Sequence, residues 1–413
     1  MATFELRPIE PDEIPAYMEC LGAAFGGRLT ARQLEVFTRE IPLERSVAVF
    51  DGVEIVGTAA SHDLRMTLPG PVRARAAAVA EVTVAPTHRR RGLLTAMMRR
   101  QLDDLHVAGE YLAVLFASEG AIYGRYGYGV ATFGARYVMD KRAARFLPRA
   151  TAGTGAVRLL DRHQALEAFP AVFEAYLPTR SGEVDRLVGV WSELIPDPDD
   201  PLGDARERFY VGYEEHGRVD GYAVYRVAST GALEPGEERA VFLEELCALS
   251  DGAYGSLWRY LAGIDLAFQV RTRSRPTDDV LPLLLEDPRA ARVTAVGDRT
   301  WLRIIDVERA FAARRYAEAG TLVVAVADEF CPWNDGRYRV EADSDGVARA
   351  QRVTDLPAEL TVDVGALAAA YLGGTRLTGL AAAGRVLEHV GGALKRADAM
   401  FGNDGAPYCT TTF

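Results

Sequence analysis

The sequence predicts an α/β (α+β) protein of mixed sheets, arranged as three successive units, and three observations support this fold class. The chain has 413 residues, enough for roughly two to four domains. Residues 1–145 alternate between helical and strand patterns, with several strands before a strand–loop–helix–strand order. Residues 157–299 repeat that order, and the remaining residues combine alternating strand patterns with helices.

The first unit, predicted over residues 1–146, begins with a helix over Ile14–Phe25, where apolar residues recur at helical spacing. The segment SVAVFDGVEIVGTAA predicts a hairpin, because its strand-forming halves flank Asp51-Gly52, a dipeptide typical of tight turns. Two further strand patterns, LRMTL and AAAVAEVTVAP, lead to an amphipathic helix that begins near Gly92. The apolar run YLAVLFAS then predicts a buried strand.

The second and third units follow a segment in which the periodic pattern is lost. Proline, glycine and threonine dominate residues 147–156, which predicts a domain boundary. In the second unit, over 147–299, SDGAYG replaces the PTHRRRG of the first, so we expect a structural copy that binds no phosphate. The third unit, over 300–413, begins with the strand pattern WLRIIDV and ends with helical patterns in GALAAAYLGG and AAAGRVLEHVGGALKRADAMFG. We expect a packed core there rather than a lipid cavity.

Composition and charge exclude several classes of protein. Hydrophobic residues make up 49% and charged residues 25% of the chain, which is typical of a soluble globular protein with large cores. The net charge of −11 argues against a general nucleic-acid binder, so we expect no nucleic-acid partner. The same charge favours attraction of cationic small molecules, although it can also serve solubility alone.

Several sequence signals are missing, and each absence narrows the expected setting. The first residues contain no apolar signal segment, and no apolar run approaches the roughly 20 residues needed to cross a bilayer. The four cysteines are too sparse for a disulfide framework, and the six histidines form no closely spaced ligand pair. We expect a reduced, soluble, cytoplasmic protein with no membrane partner and no metal.

Residues 81–95, EVTVAPTHRRRGLLT, carry the pattern from which we predict an anion-binding site. A strand ends in a turn at Pro86, three arginines follow, and Gly92 begins the helix. A helix start exposes unpaired N–H groups and the positive end of the helix dipole, and glycine lets an anion approach the backbone closely. The predicted ligand is a phosphate or pyrophosphate. The alternative is a solvated arginine turn before a surface helix.

The same stretch resembles the acyl-CoA pyrophosphate motif, Arg-x-x-Gly-x-small, of the GNAT acetyltransferases. VAPTHRRRGLLTAMM and ASEGAIYGRYGYGVAT are more closely similar to the enhanced intracellular survival (Eis) family of aminoglycoside N-acetyltransferases. The resemblance extends to the chain length, the order of the units and a C-terminal aromatic residue, Phe413. It implies tandem GNAT-like domains, of which only the first binds acetyl-CoA, followed by a sterol-carrier-like domain. It also implies a homohexamer, although the sequence itself contains no oligomerisation signal.

The resemblance further implies direct acetyl transfer from acetyl-CoA to an amine, without a metal or a covalent enzyme intermediate. It makes the terminal carboxylate of Phe413 the base and Tyr123 the acid that protonates the departing thiolate. Backbone N–H groups at Val82 or Val84 would polarise the thioester carbonyl. The implied acetyl-CoA contacts are Val82, Thr83, Val84, Arg90, Arg91, Gly92, Leu93, Leu94, Thr95, Ser118 and Glu119.

Reasoning from the residues alone leaves these catalytic roles open. Tyr123, Tyr126 and Tyr128 share one glycine-rich run, and spacing does not decide which of them is the acid or whether all three only pack. The end of a chain usually frays, and this is what the sequence alone predicts for Phe413. Glu81 is an alternative base, a ligand for a substrate ammonium group, or a salt-bridged structural carboxylate.

The expected substrate is a cationic small molecule that bears an amine, and the resemblance implies aminoglycosides. Glu81 and Phe25 are the predicted substrate contacts. The chain departs from the best-known Eis pattern here, because the segment AAFGGR at residues 23–28 carries no acidic side chain and the penultimate residue is Thr412. The alternatives are a peptide or protein-lysine N-acetyltransferase and a non-catalytic lipid-binding protein.

Overall fold

The computed structural model of the chain describes residues 4–27, 30–148, 153–197, 207–231 and 239–413. Within these ranges the strands form three sheets, of seven, eight and five strands. The predicted boundary segment 147–156 lies partly outside the described residues. No helix in the described ranges is long and apolar enough to span a membrane.

The N-terminal part of the chain contains the predicted helix, the predicted hairpin and the helix that follows Gly92. The hairpin turns at Gly52, which has a φ of 64°. The strands are β1 (Glu5–Arg7), β2 (Ser46–Asp51), β3 (Glu54–Leu68), β4 (Val72–Val84), β5 (Leu112–Phe116), β6 (Gly129–Val130) and β7 (Phe133–Asp140). The helices are α1 (Ile14–Ala24), α2 (Ala31–Glu40), α3 (Leu93–Val107) and α4 (Gly120–Tyr123).

The middle of the chain repeats this order, as the sequence predicts. Its strands are β8 (Ala156–Leu160), β9 (Phe209–Glu215), β10 (Arg218–Ser229), β11 (Arg239–Ala248), β12 (Gln269–Thr272), β13 (Arg275–Pro276), β14 (Ala291–Asp298) and β15 (Thr300–Ile304). Its helices are α5 (Arg162–Tyr176), α6 (Val188–Leu194) and α7 (Asp251–Gly263).

The C-terminal part has a packed interior and a sheet of five strands, which are β16 (Gly320–Ala327), β17 (Gly336–Ala342), β18 (Ala348–Val353), β19 (Leu360–Asp363) and β20 (Val386–Glu388). Their order in the sheet is β18-β17-β16-β19-β20. The Phe401 ring packs against Phe311 and Tyr316, with centroids 6.1 and 5.3 Å away, and the buried Arg314 guanidinium lies over it. The helices of this part are α8 (Val307–Ala313), α9 (Val364–Ala370), α10 (Leu377–Ala382) and α11 (Ala393–Met400).

The helical pattern over residues 381–402 is wrong as a single element. Gly384, with a φ of 75°, follows α10, and Gly392, with a φ of 91°, precedes α11. Between them β20 pairs with β19. Glycines in the left-handed conformation end α10 and begin α11. A strand therefore divides the segment whose apolar spacing predicts one continuous helix.

The first two sheets each take one strand from beyond the predicted boundaries. β7, which precedes the boundary at residue 146, lies in the second sheet, where Met139 is opposite Val270 of β12. β15, predicted as the first strand of the third unit, completes the first sheet, where Leu302 is opposite Val114 of β5. The predicted boundaries at residues 146 and 299 therefore do not coincide with the sheets, because a strand pattern does not identify the strand's partner.

Candidate active site

β4 and β5 separate just before the predicted anion-binding segment. The two strands pair in parallel only where Ala77 and Ala78 face Ala113 and Val114. β4 continues to Val84 while paired with β3 on one side. On its other side, which faces β5, it forms no hydrogen-bond ladder with β5 beyond Ala78. The backbone along this edge, which includes Val82–Val84, can therefore hydrogen-bond to a ligand lying in the gap.

The beginning of α3 lies at the end of this gap. Arg90 and Gly92 have φ values of 64° and 83°, and the first helical bond runs from the Ala96 N–H to the Gly92 carbonyl over 3.0 Å. The N–H groups of the first helical residues therefore have no acceptor within the helix. A Cβ added at Gly92 would meet no protein atom within 4 Å, so there is open space beside the backbone. This geometry fits the pyrophosphate of an acyl-CoA.

The other predicted acetyl-CoA contacts differ in what they can offer. The Leu93 side chain is buried in the core, and the Thr83 hydroxyl is buried and hydrogen-bonded to Thr58 at 2.7 Å, so only their backbones remain for a ligand. Leu94 packs partly against the same core as Leu93. The remaining members of the set on the loops and helix starts are exposed: Arg90, Arg91, Thr95, Ser118 and Glu119.

The three tyrosines of the glycine-rich run are buried under α3. The Tyr123 and Tyr128 rings meet edge to face with their centroids 5.8 Å apart, and the Tyr126 hydroxyl is hydrogen-bonded to Thr95 at 3.2 Å. Burial raises the pKa of Tyr123 to about 12, so its hydroxyl keeps its proton at neutral pH. Burial also raises the pKa of Tyr128. Tyr123 therefore carries the proton that a general acid must donate.

The C-terminal segment is held in place, so the expectation that Phe413 frays is wrong. The Phe413 ring packs against Phe116 at the end of β5, with centroids 5.0 Å apart. Cys409 and Thr411 are buried, and the backbone N–H groups of Thr410 and Thr411 donate to the Glu183 carboxylate over 2.8 and 3.2 Å. Contacts with other domains overcome the usual disorder of a terminus.

A cavity of about 510 Å³ brings Phe413, Glu81 and Phe25 together. Its walls come from α1, α2, α6, the middle of β3, the C-terminal half of β4 and the last two residues of the chain. Tyr123 is not part of this lining and lies in the buried cluster beneath α3. Of the segment 23–28, Arg28 lies outside the described residues, whereas Phe25 is 66% exposed at the cavity.

The charged lining of this cavity is acidic. Glu40 from α2, Glu81 from β4 and Glu193 from α6 line it together with the C-terminal residue, and its described lining includes no lysine or arginine. Glu40 also accepts a hydrogen bond from the Gly189 N–H of α6 at 2.7 Å, which joins the first and second domains over the cavity. Sequence reasoning missed Glu40 and Glu193, because no local pattern places α2 and α6 side by side.

Glu81 forms a buried pair with His62, a partner that the sequence did not identify. The His62 Nε2 and Glu81 Oε1 atoms lie 3.3 Å apart, and their side chains are only 8% and 9% exposed. Glu81 sits in a bulge of β4 with a φ of 56°, a strained conformation for a residue other than glycine. Its second carboxylate oxygen is buried without a hydrogen-bond partner among the described residues. A buried carboxylate oxygen without a hydrogen bond is costly, so this arrangement is strained in energy as well as in backbone conformation.

A sheet whose parallel neighbours separate beside a helix that begins at glycine is the architecture of acyl-CoA-dependent acetyltransferases of the GNAT class, and the protein is an N-acetyltransferase of this class. Residues 5–131 and 182–304 each match an acetyltransferase (GNAT) domain family, and residues 307–410 match the sterol carrier protein domain family. The fold class predicted from the sequence is confirmed, and so is the order of its three domain types.

The chain belongs to the Eis-like N-acetyltransferases. It is 36% identical over 406 residues to N-acetyltransferase Eis of Mycobacterium tuberculosis, covering 95% of each chain. It is 41% identical over 414 residues to an uncharacterized N-acetyltransferase of Streptomyces coelicolor, covering 98% of each. The crystal structure of Eis1 from Mycobacterium abscessus matches with a TM-score of 0.87 and 35% identity, over 99% of this chain and 100% of that one.

Proposed function

We propose that the protein transfers the acetyl group of acetyl-CoA to an amino group of a cationic small molecule, with aminoglycosides as the first class to test. The observation that carries this proposal is the lining of the 510 Å³ cavity, where three glutamates and the C-terminal residue meet without a lysine or arginine among the described residues. Carboxylates grouped in a cleft attract polycations and raise their local concentration. The three glutamates supply the acidic contacts that the segment at residues 23–28 lacks.

On the donor side, the N–H groups at the start of α3 and the exposed Arg90 and Arg91 would hold the acetyl-CoA pyrophosphate. The free edge of β4 at Val82–Val84 would lie along the rest of the molecule and direct an N–H group at the thioester carbonyl. The Tyr123 hydroxyl would donate a proton to the departing thiolate, because its raised pKa keeps it protonated.

On the acceptor side, the Phe413 carboxylate would first remove a proton from the substrate ammonium group, and the freed nitrogen would then form the new bond to the acetyl carbon. The nitrogen loses its second proton to solvent as the amide forms. The carbon–sulfur bond breaks, and the thiolate receives a proton from Tyr123. A terminal carboxylate is ordinarily a weak base, so its position beside the amine would have to supply most of its effect. The carboxylate of Glu81, which lines the cavity, would bind another ammonium group of the substrate. Glu81 is the alternative base.

The proposal is tested by measuring thiol release from acetyl-CoA with aminoglycosides, polyamines and lysine-containing peptides. We expect turnover with polycationic small molecules and a large loss of kcat in a chain extended by two residues beyond Phe413, with acetyl-CoA affinity unchanged. Full activity of the extended chain would move the base to Glu81. Preference for peptides would favour the lysine acetyltransferase alternative. The homohexamer that the family resemblance implies is tested by sedimentation.

A further inference from the structure

We infer that Glu183, in the second GNAT-like domain, is a positioning residue that sets the place of the terminal carboxylate. This inference rests on the proposed role of Phe413. The second domain lacks the arginine-rich loop, and the sequence suggests only a structural part for it. Its contacts with the last residues of the chain point to a task in catalysis.

Glu183 is buried and gives both oxygens to the C-terminal segment. One oxygen accepts the Thr410 N–H at 2.8 Å, and the other accepts the Thr411 N–H at 3.2 Å. The side chain itself has no exposed surface, and no described lysine or arginine forms an ion pair with it. A buried carboxyl group is costly unless it is hydrogen-bonded, and these bonds to the tail offset part of that cost.

Two arginines hold the same segment from the other side. Arg299 donates to the carbonyls of Cys409 and Thr410 over 2.9 and 3.2 Å. Arg186, which is paired with Glu245 at 2.7 Å, donates to the Thr411 hydroxyl at 3.1 Å. The carbonyls of Cys409 and Thr410 and the N–H groups of Thr410 and Thr411 are thus engaged, up to two residues before the end of the chain.

The segment that carries Glu183 is also bonded to β3. The Gly182 N–H donates to the Thr67 carbonyl at 2.7 Å, and the Thr67 N–H donates to the Glu183 carbonyl at 2.8 Å. β3 carries His62 and pairs with the strand of Glu81. One hydrogen-bonded series therefore connects the strands of the acidic cavity, through Glu183, to Thr410 and Thr411, just before the end of the chain.

The test compares Glu183→Gln with the matched control Asp398→Asn in the full chain. Glutamine has nearly the same shape, but its amide nitrogen cannot accept a tail N–H group. Asp398 also accepts two backbone N–H groups, from Leu377 at 2.6 Å and Thr378 at 3.4 Å, but it lies in the third domain and is not bonded to the tail. Both variants lose a carboxylate that accepts two backbone N–H groups, and only Glu183→Gln is expected to loosen the terminus.

We expect Glu183→Gln to lower kcat by about 10- to 100-fold with the best amine of the panel, because small displacements of a reacting group cost this much. The KM for acetyl-CoA should stay within about twofold. The loss should shrink between about pH 7 and pH 10, because an amine that is already deprotonated needs no base. Carboxypeptidase should release Phe413 faster from this variant, whereas Asp398→Asn should match the parent in kcat and in protection.

Equal kcat and equal carboxypeptidase protection in Glu183→Gln and the parent would overturn the inference, even if extension beyond Phe413 abolishes activity. Full activity of the extended chain would overturn the proposed base, whereas faster release of Phe413 from Glu183→Gln would still support the anchor. If Glu183→Gln does not fold, Arg299→Met removes the opposite contacts of the segment and is expected to give the same loss of kcat and of protection. Unchanged kcat and protection there would overturn the anchor as well.

Discussion

Replacing Gly92 with alanine tests the anion site that connects the sequence motif to acetyl-CoA. Gly92 has a φ of 83°, and the added Cβ would meet no protein atom within 4 Å. The folded protein should therefore lose only the strain of a left-handed alanine, about 1–2 kcal/mol. Each kcal/mol of lost stability should lower Tm by about 2–4 °C.

The bound pyrophosphate would meet the new methyl group, because the space beside Gly92 is where we expect it to approach the helix start. Losing one hydrogen bond to a charged group costs about 1.5–3 kcal/mol, so acetyl-CoA affinity should fall by about 10- to 100-fold. Calorimetric titration with acetyl-CoA measures the affinity, and a thermal melt measures the strain.

Gly217→Ala is the matched control for this substitution. Gly217 lies in the turn between β9 and β10, with a φ of 75° and no protein atom within 4 Å of an added Cβ. It should lose a similar amount of stability and keep the parent's affinity for acetyl-CoA. Equal affinities of the two variants would refute the assignment of the pyrophosphate to the start of α3.

The remaining predictions concern the acid and the acidic cavity. Because the pKa of Tyr123 is raised to about 12, the pH profile of kcat should show no alkaline decline from this group up to about pH 10, and Tyr123→Phe should lower kcat at every pH in that range. Burial of this protonated hydroxyl contributes stability that is complete below about pH 10 and is lost as the pH rises towards 12. Glu193→Gln should raise KM for polycationic amines severalfold with little change in kcat, as steady-state kinetics would show, since Glu193 is an exposed carboxylate of the cavity. Raising the ionic strength should increase that KM in the parent, and a flat salt dependence would contradict the acidic cavity as the binding site.

The sequence predicted the parts of the protein that are encoded by neighbouring residues. The turn at Gly52 and the helix Ile14–Ala24 follow from local conformational preference and apolar spacing. The prediction of an anion site at Gly92 rests on the same kind of signal, because three arginines and a glycine between a strand and a helix form one continuous segment. The family resemblance rested on this segment and on the tyrosine run near it.

The tertiary structure decided the arrangement of distant residues. The sequence alone predicted a frayed Phe413, whereas Phe116 and the buried Glu183 hold the terminus in the cavity. Glu40 and Glu193 become neighbours of Glu81 only because α2 and α6 close over the same space. The physical reason is that turns and helix starts depend on the conformations of a few adjacent residues. Strand partners, buried charges and a fastened terminus depend on contacts between residues far apart in the chain, which exist only once the domains have packed.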